Sequence, residues 1–196
     1  LNRFLPADSL GALDFTLTAG GAGFNPLLPQ TRGSVRMQID RAEYRGRDFG
    51  GIELDADLEN QRLSGRLSDR DEALRLLLLV SGTLTEKEQR IGLSGNIFNF
   101  DLTDLGITPE QIGGSFALDA DASVSAAGGY AARLTLDSIE IRSKYRTDRI
   151  RRTSVTFSAD TAATRAGLTS GDLSLSFTAP EPLDSLTAAV TRSADA

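Results

Sequence analysis

Residues 73–84, ALRLLLLVSGTL, contain five consecutive apolar side chains, Leu76 to Val80. A membrane-crossing helix needs about 20 such residues, so this run is too short to span a bilayer. Beneath the leucines an alternation survives. Leu74, Leu76, Leu78, Val80, Gly82 and Leu84 fall in one phase, and Arg75, Leu77, Leu79, Ser81 and Thr83 in the other. Only Leu77 and Leu79 break the polar phase, which predicts a strand with one fully apolar face and two extra leucines on the other. Those two leucines are expected to meet a neighbouring element or simply to lie on the surface.

The same period of two recurs along the chain. Leu13, Phe15 and Leu17 share one phase, as do Val35, Met37 and Ile39. In GIELDADLEN, residues 51–60, Ile52, Leu54, Ala56 and Leu58 alternate with Glu53, Asp55, Asp57 and Glu59. A turn at Asn60-Gln61 leads to Leu63, Gly65 and Leu67, and DRDE at 69–72 turns the chain into the leucine-rich strand. Ile91, Leu93, Gly95 and Ile97 follow, after which Phe98, Phe100 and Leu102 slip by one residue, as a bulge at 96–98 would cause. This is the pattern of an antiparallel meander with short links. TPEQIGG at 108–114 has the marks of a very short helix, with Thr108 as N-cap, Pro109 in its first position, Gln111 closing a capping box and Gly113 as stop. A second helical turn is expected near Leu105. GGAG at 20–23 reads as a flexible link before a loop.

The chain also resembles itself. LGALDFTLTA at 10 matches IGGSFALDAD at 112, MQIDRAEYRGRD at 37 matches LTLDSIEIRSKYRTD at 134, and Gly65 in RLSGRLS aligns with Gly167 in TRAGLTS. Two β repeats placed end to end, 1–102 and 103–196, are expected, the strand pattern ending near 178.

With 196 residues the chain is large enough for a sizeable core. It has no Cys and no His, so thiolate sites, the commonest metal ligand and the usual general base are all missing. Its Ser/Asp pairs have no imidazole to complete a hydrolytic triad, and DRDE lacks the glycine and distant glutamate of a calcium loop. No enzyme, metal or cofactor is expected; a carboxylate-based enzyme would need a pair of acids suitably spaced in a cleft. The net charge of -6 argues against nucleic acid as a partner. The arginine-rich RSKYRTDRIRRTS at 142–154 suits either lipid phosphates or a solvated turn. LNRFLP begins in mid-pattern, as an excised piece of a longer protein would.

The segment from 42 to 84, AEYRGRDFGGIELDADLENQRLSGRLSDRDEALRLLLLVSGTL, followed by FNFDLTDLGIT at 98–108, resembles the TamB/AsmA-like envelope proteins, especially their Bacteroidetes form. Ile52, Leu54, Leu58, Leu63, Gly65 and Leu67 stand at the family's repeat positions, and Asp101, Leu102, Leu105, Gly106 and Ile107 match its DLxxLGL-like element. The resemblance implies an elongated antiparallel sheet curled into an open gutter, apolar inside, in a periplasmic protein anchored in the inner membrane. It further implies phospholipid transport between the membranes, or outer-membrane protein assembly beside a barrel partner of the TamA/BamA type, with neighbouring repeats of the same chain continuing the sheet. On that reading the acyl chains would meet Ile52, Leu54, Leu58, Leu63, Leu67, Leu76, Leu78, Val80, Ile91, Leu93, Ile97, Phe116, Leu118, Leu134, Leu136, Val155, Phe157, Leu173, Leu175 and Phe177. The alternation alone also suits a closed β-sandwich acting as an adhesin or surface binding module, in which a second sheet covers the apolar face.

Overall fold

The computed structural model describes residues 10–44 and 47–182. They form one antiparallel sheet of twelve strands: β1 (Leu10–Ala22), β2 (Arg32–Tyr44), β3 (Arg47–Phe49), β4 (Ile52–Glu59), β5 (Arg62–Arg70), β6 (Leu74–Leu84), β7 (Glu88–Asp101), β8 (Ile112–Ser125), β9 (Tyr130–Ser143), β10 (Thr147–Ala159), β11 (Thr164–Ser170) and β12 (Leu173–Ala179). Each strand pairs with its neighbours in sequence, apart from the three-residue β3, which lies beside β2 off the main path. β1 and β12 are the two edges and are not paired with each other, so the sheet stays open. No second sheet covers it among the described residues, which form a single open sheet and not a closed sandwich. β7 and β8, which flank residues 102–103, pair with each other from Glu88–Ser125 to Asp101–Gly113.

Local chemistry explains the links. Glu59 pairs with Arg62 around a two-residue turn in which Asn60 and Gln61 take φ of 49° and 63°, the doubly left-handed conformation that matches strand twist. The Gln61 amide also donates to the Leu27 carbonyl, tying this turn to the 23–31 loop. In DRDE, the Asp69 carboxylate accepts from the Asp71 N–H at 2.9 Å and that of Asp71 from the Ala73 N–H at 2.8 Å. Both side chains therefore serve to make the turn.

Bulges cluster toward one end of the sheet. The register shifts at Arg75/Leu76 on β6–β7 and at Ile97/Phe100 on β7–β8, leaving Phe98 as the extra residue the phase slip predicts. Two more lie at Asp40 on β2 and at Ser138 on β9, where Ser138 has φ of 52°. Each adds local twist and restores the apolar phase beyond it.

Three sequence expectations need correction. TPEQIGG forms no helix: the Thr108 hydroxyl accepts from the Glu110 N–H at 3.2 Å, a local turn, and Ile112 already begins β8. The reason is packing, because a Cβ at Gly114 would lie 2.1 Å from the Glu140 carbonyl oxygen, an approach that suits a sheet glycine. Near Leu105 a single hydrogen-bonded turn does occur, from the Leu105 N–H to the Asp101 carbonyl at 2.9 Å, closed by Gly106 with φ of 71°. GGAG is not a link, since Gly20, Gly21 and Ala22 belong to β1 and pair with Ser34, Gly33 and Arg32. Finally, Gly65 pairs with Ala56 and Val80 on the apolar face whereas Gly167 pairs with Thr156 and Ser176 on the polar one, so that alignment is a residue out of phase.

Candidate functional site: the uncovered apolar face

Residues paired across an antiparallel ladder share a face, and following the pairs from β1 to β12 assembles the apolar face row by row. One row runs Leu17, Met37, Leu54, Leu67, Leu78, Gly95, Leu118, Leu136, Thr153, Ser170, Leu173. The next runs Ala19, Val35, Ala56, Gly65, Val80, Leu93, Ala120, Leu134, Val155, Leu168, Leu175. A third takes in Leu58, Leu63, Ile91, Phe157 and Phe177. Toward the bulged end Ile52 pairs with Ile39, and Leu76 with Ile97, which in turn faces Phe116. Every groove residue proposed from the sequence therefore lies on one face. Phe15, Leu17, Val35, Met37, Ile39 and Leu168 extend it, and the alternation that marked the others was equally present in them.

This face has no lid. Phe15, Leu17, Ile91, Leu134, Val155, Leu173, Leu175 and Phe177 are 37–56% exposed, and no side chain bulky enough to anchor a core is fully buried among the described residues. Monomeric proteins seldom leave a continuous apolar strip of this extent in water unless something binds there. The strip dips in two places. One hollow of about 480 Å³ lies over β1, β2, β4 and β5, with Gly33, Ala19 and Ala56 as floor and Leu58 and Leu63 as wall. Another of about 380 Å³ lies over β7 to β10, between Ile91, Leu93, Leu134 and Phe157. At the bulged end Phe100 and Phe116 meet edge to face, their centroids 6.1 Å apart.

The opposite face is charged and knitted by ion pairs. Arg36 meets Asp55 at 2.8 Å and Asp57 at 2.7 Å, and the hydrogen bond it donates to Asp57, ahead of the charges, holds its guanidinium above its ordinary pKa. Leu77 and Leu79 sit among these groups, opposite Ser68 and Arg66. Leu79 is 49% exposed, and no described element covers it. Three arginines of the arginine-rich stretch are paired within the β9–β10 hairpin: Arg149 bonds Glu140 at 2.9 Å, Arg152 reaches Asp137 at 2.6 Å and Arg146 reaches Asp148 at 2.8 Å. Those arginines are already satisfied by their own hairpin.

Asp69 is an exception on the apolar side. It pairs with Leu76 in the row of Ile97, is only 5% exposed, and burial pushes its carboxyl above the usual range. Asp160 shows the opposite effect, held low by the N–H groups of Ala162 and Ala163 in an exposed turn. Among the described residues no group of three or more acidic side chains is placed to hold a metal ion, and no helix is long and apolar enough to cross a membrane. Compared with known protein families, curated proteins and solved structures, the chain matches none.

Proposed function

We propose that this sheet is a segment of a TamB-like, periplasm-spanning envelope protein and that its apolar face is a passive, non-enzymatic path for phospholipid acyl chains. The observation that carries the reading is the uncovered strip itself: eleven strands contribute aliphatic side chains in register to a face that nothing in the described chain covers. Each methylene leaving water for such a surface gains about 0.8 kcal/mol. The interior ladders have already used their backbone donors and acceptors, so the face favours an occupant without polar groups over a peptide that would need partners. Headgroups would stay solvated at the strand ends. Chaperoning of outer-membrane proteins beside a TamA/BamA-type barrel is the companion role of the same face, with neighbouring repeats extending it.

The test is site-specific photo-crosslinking in cells with the full-length protein. Probes at Leu54, Leu67, Leu78 and Leu93 are expected to capture phospholipid, and probes at Glu53, Arg66, Arg75 and Ser94 are not. Capture from both sets or from neither refutes the reading. The companion variant is Leu78→Arg. On an open face the long side chain leans toward water, so the fold survives while lipid passage falls; if instead it unfolds the chain, the face is enclosed.

A further inference from the structure

We infer that the polar face carries a second, separate site: a cleft across β7 to β12 that binds an acidic oligosaccharide. A twisted sheet is concave along opposite diagonals on its two faces, and here the polar side forms a hollow of about 760 Å³. Its floor is made of small side chains, with Ser123, Ala131 and Ser158 in one ladder row and Thr156, Gly167 and Ser176 in the next. Three arginines stand around them. Arg90 on β7 and Arg165 on β11 close the first row, and Arg133 on β9 rises between them in the second.

What sets this cleft apart is that three arginines border one hollow, the central one without a carboxylate partner among the described residues. Elsewhere Arg36, Arg149 and Arg152 are held by carboxylates at 2.6–2.9 Å. Arg133 has no ion pair or hydrogen bond with any described residue, and the same is true of the side-chain hydroxyls of Ser123, Thr156, Ser158 and Ser176. The one acid of the lining is Asp121, Arg133's ladder partner. Arg90 leans to Glu88 at 3.1 Å and Arg165 to Asp160 at 3.9 Å, with both guanidiniums more than half exposed and able to change partner. Unpaired hydroxyls beside an unpaired guanidinium match a ligand with both hydroxyl groups and negative charge.

Spacing sets the ligand's length. Arg90 and Arg165 are four ladder steps apart, about 19 Å at 4.7–4.9 Å per step, with Arg133 midway. A lone phosphate cannot bridge them, whereas a chain of acidic sugars lays a carboxylate near each and its hydroxyls along the serine floor. Guanidinium recognises carboxylate through paired donors, which makes Arg133 the central contact.

The experiment is calorimetric titration of the whole chain at low salt with galacturonate oligomers from dimer to hexamer, alongside neutral dextran oligomers and polyglutamate. Saturable binding is expected that strengthens with length, weakens with added salt, and drops about tenfold or more in Arg133→Gln, the loss of a charge-assisted contact. Arg36→Gln, on the same face but outside the cleft, is expected to bind as the wild type does, and circular dichroism of both variants establishes that they fold. Absence of saturable binding, an unchanged Arg133→Gln, or polyglutamate binding as tightly as galacturonate would each overturn the proposal.

Discussion

The two faces of this sheet share twelve strands and one backbone and differ only in the parity of their residues, yet they solve opposite problems. The polar face is stitched by cross-strand ion pairs such as Arg36 with Asp55 and Asp57, and Arg152 with Asp137. The apolar face has aliphatic rows with no counterpart to press on. The exposed ion pairs contribute little individually, and the apolar rows are buried only by their own neighbours. Stability therefore rests mainly on the ladders and on lateral contact within rows. Alternation specifies such a sheet without specifying a second layer.

The sharpest way to break this contrast is at the point where the apolar row has no side chain at all. Gly95 interrupts the row of Leu78 and Leu118 with φ of 154°, and a Cβ there would lie 2.0 Å from the Leu77 carbonyl oxygen. Gly95→Val should cost about 3 kcal/mol or more in urea unfolding, from backbone strain plus overlap. A loss below about 1 kcal/mol would mean the strands are not pinched there. A smaller effect compares the faces directly on one strand. Leu78→Ala should cost about 1–2 kcal/mol, below the 2–5 typical of an enclosed core, and Leu79→Ala less than about 0.5–1 kcal/mol, as for ordinary surface sites. A Leu78→Ala loss above 3 kcal/mol would show that the apolar face is covered in solution.

The smallest effect tests the buried carboxylate on the apolar side, Asp69. The folded-state pKa of Asp69 is raised by burial first and the charge of Asp71 second, so the folded chain takes up its proton more readily than the unfolded chain. Its contribution is favourable below the unfolded pKa and is lost as pH rises through the raised folded value. Asp69→Asn keeps an acceptor for the Asp71 N–H without a charge. It should raise Tm slightly at neutral pH, and the gain should vanish below the ordinary aspartate range. Thermal melts at pH 7 and pH 3 check it, and equal gains at both would reject the burial argument.

Much of this was visible in the residues. Ile52 to Glu59 fixes a half-buried strand by itself, and the slip after Ile97 marked the Phe98 bulge. The same slip stands in Leu134, Leu136, Ile139 and Ile141, where it marks the Ser138 bulge, and in Met37, Ile39 and Ala42, where it marks Asp40. Those two are harder to see in the sequence, because a polar residue at the bulge breaks the apolar run less obviously than a phenylalanine does. The helix expected at 108–114 failed because a threonine hydroxyl makes the same bond to an N–H two residues on, whether a helix follows or not. The polar cleft was beyond reach of any pattern. It depends on which arginines found carboxylates across the ladder and on how the sheet twists, and neither is written in the order of residues along one strand.

Neighbour-only pairing has a consequence for how such a molecule is made and altered. Every long ladder joins strands adjacent in sequence, save β2–β4, where only the three-residue β3 intervenes, so closing each one orders a short stretch, and folding can start at any hairpin and spread in both directions. The same locality makes length adjustable. Inserting or removing one hairpin, two strands at a time, restores direction and facing, and leaves all but one of the remaining ladders untouched. The sheet behaves as a modular material, tolerant of changes in extent and strict only about parity.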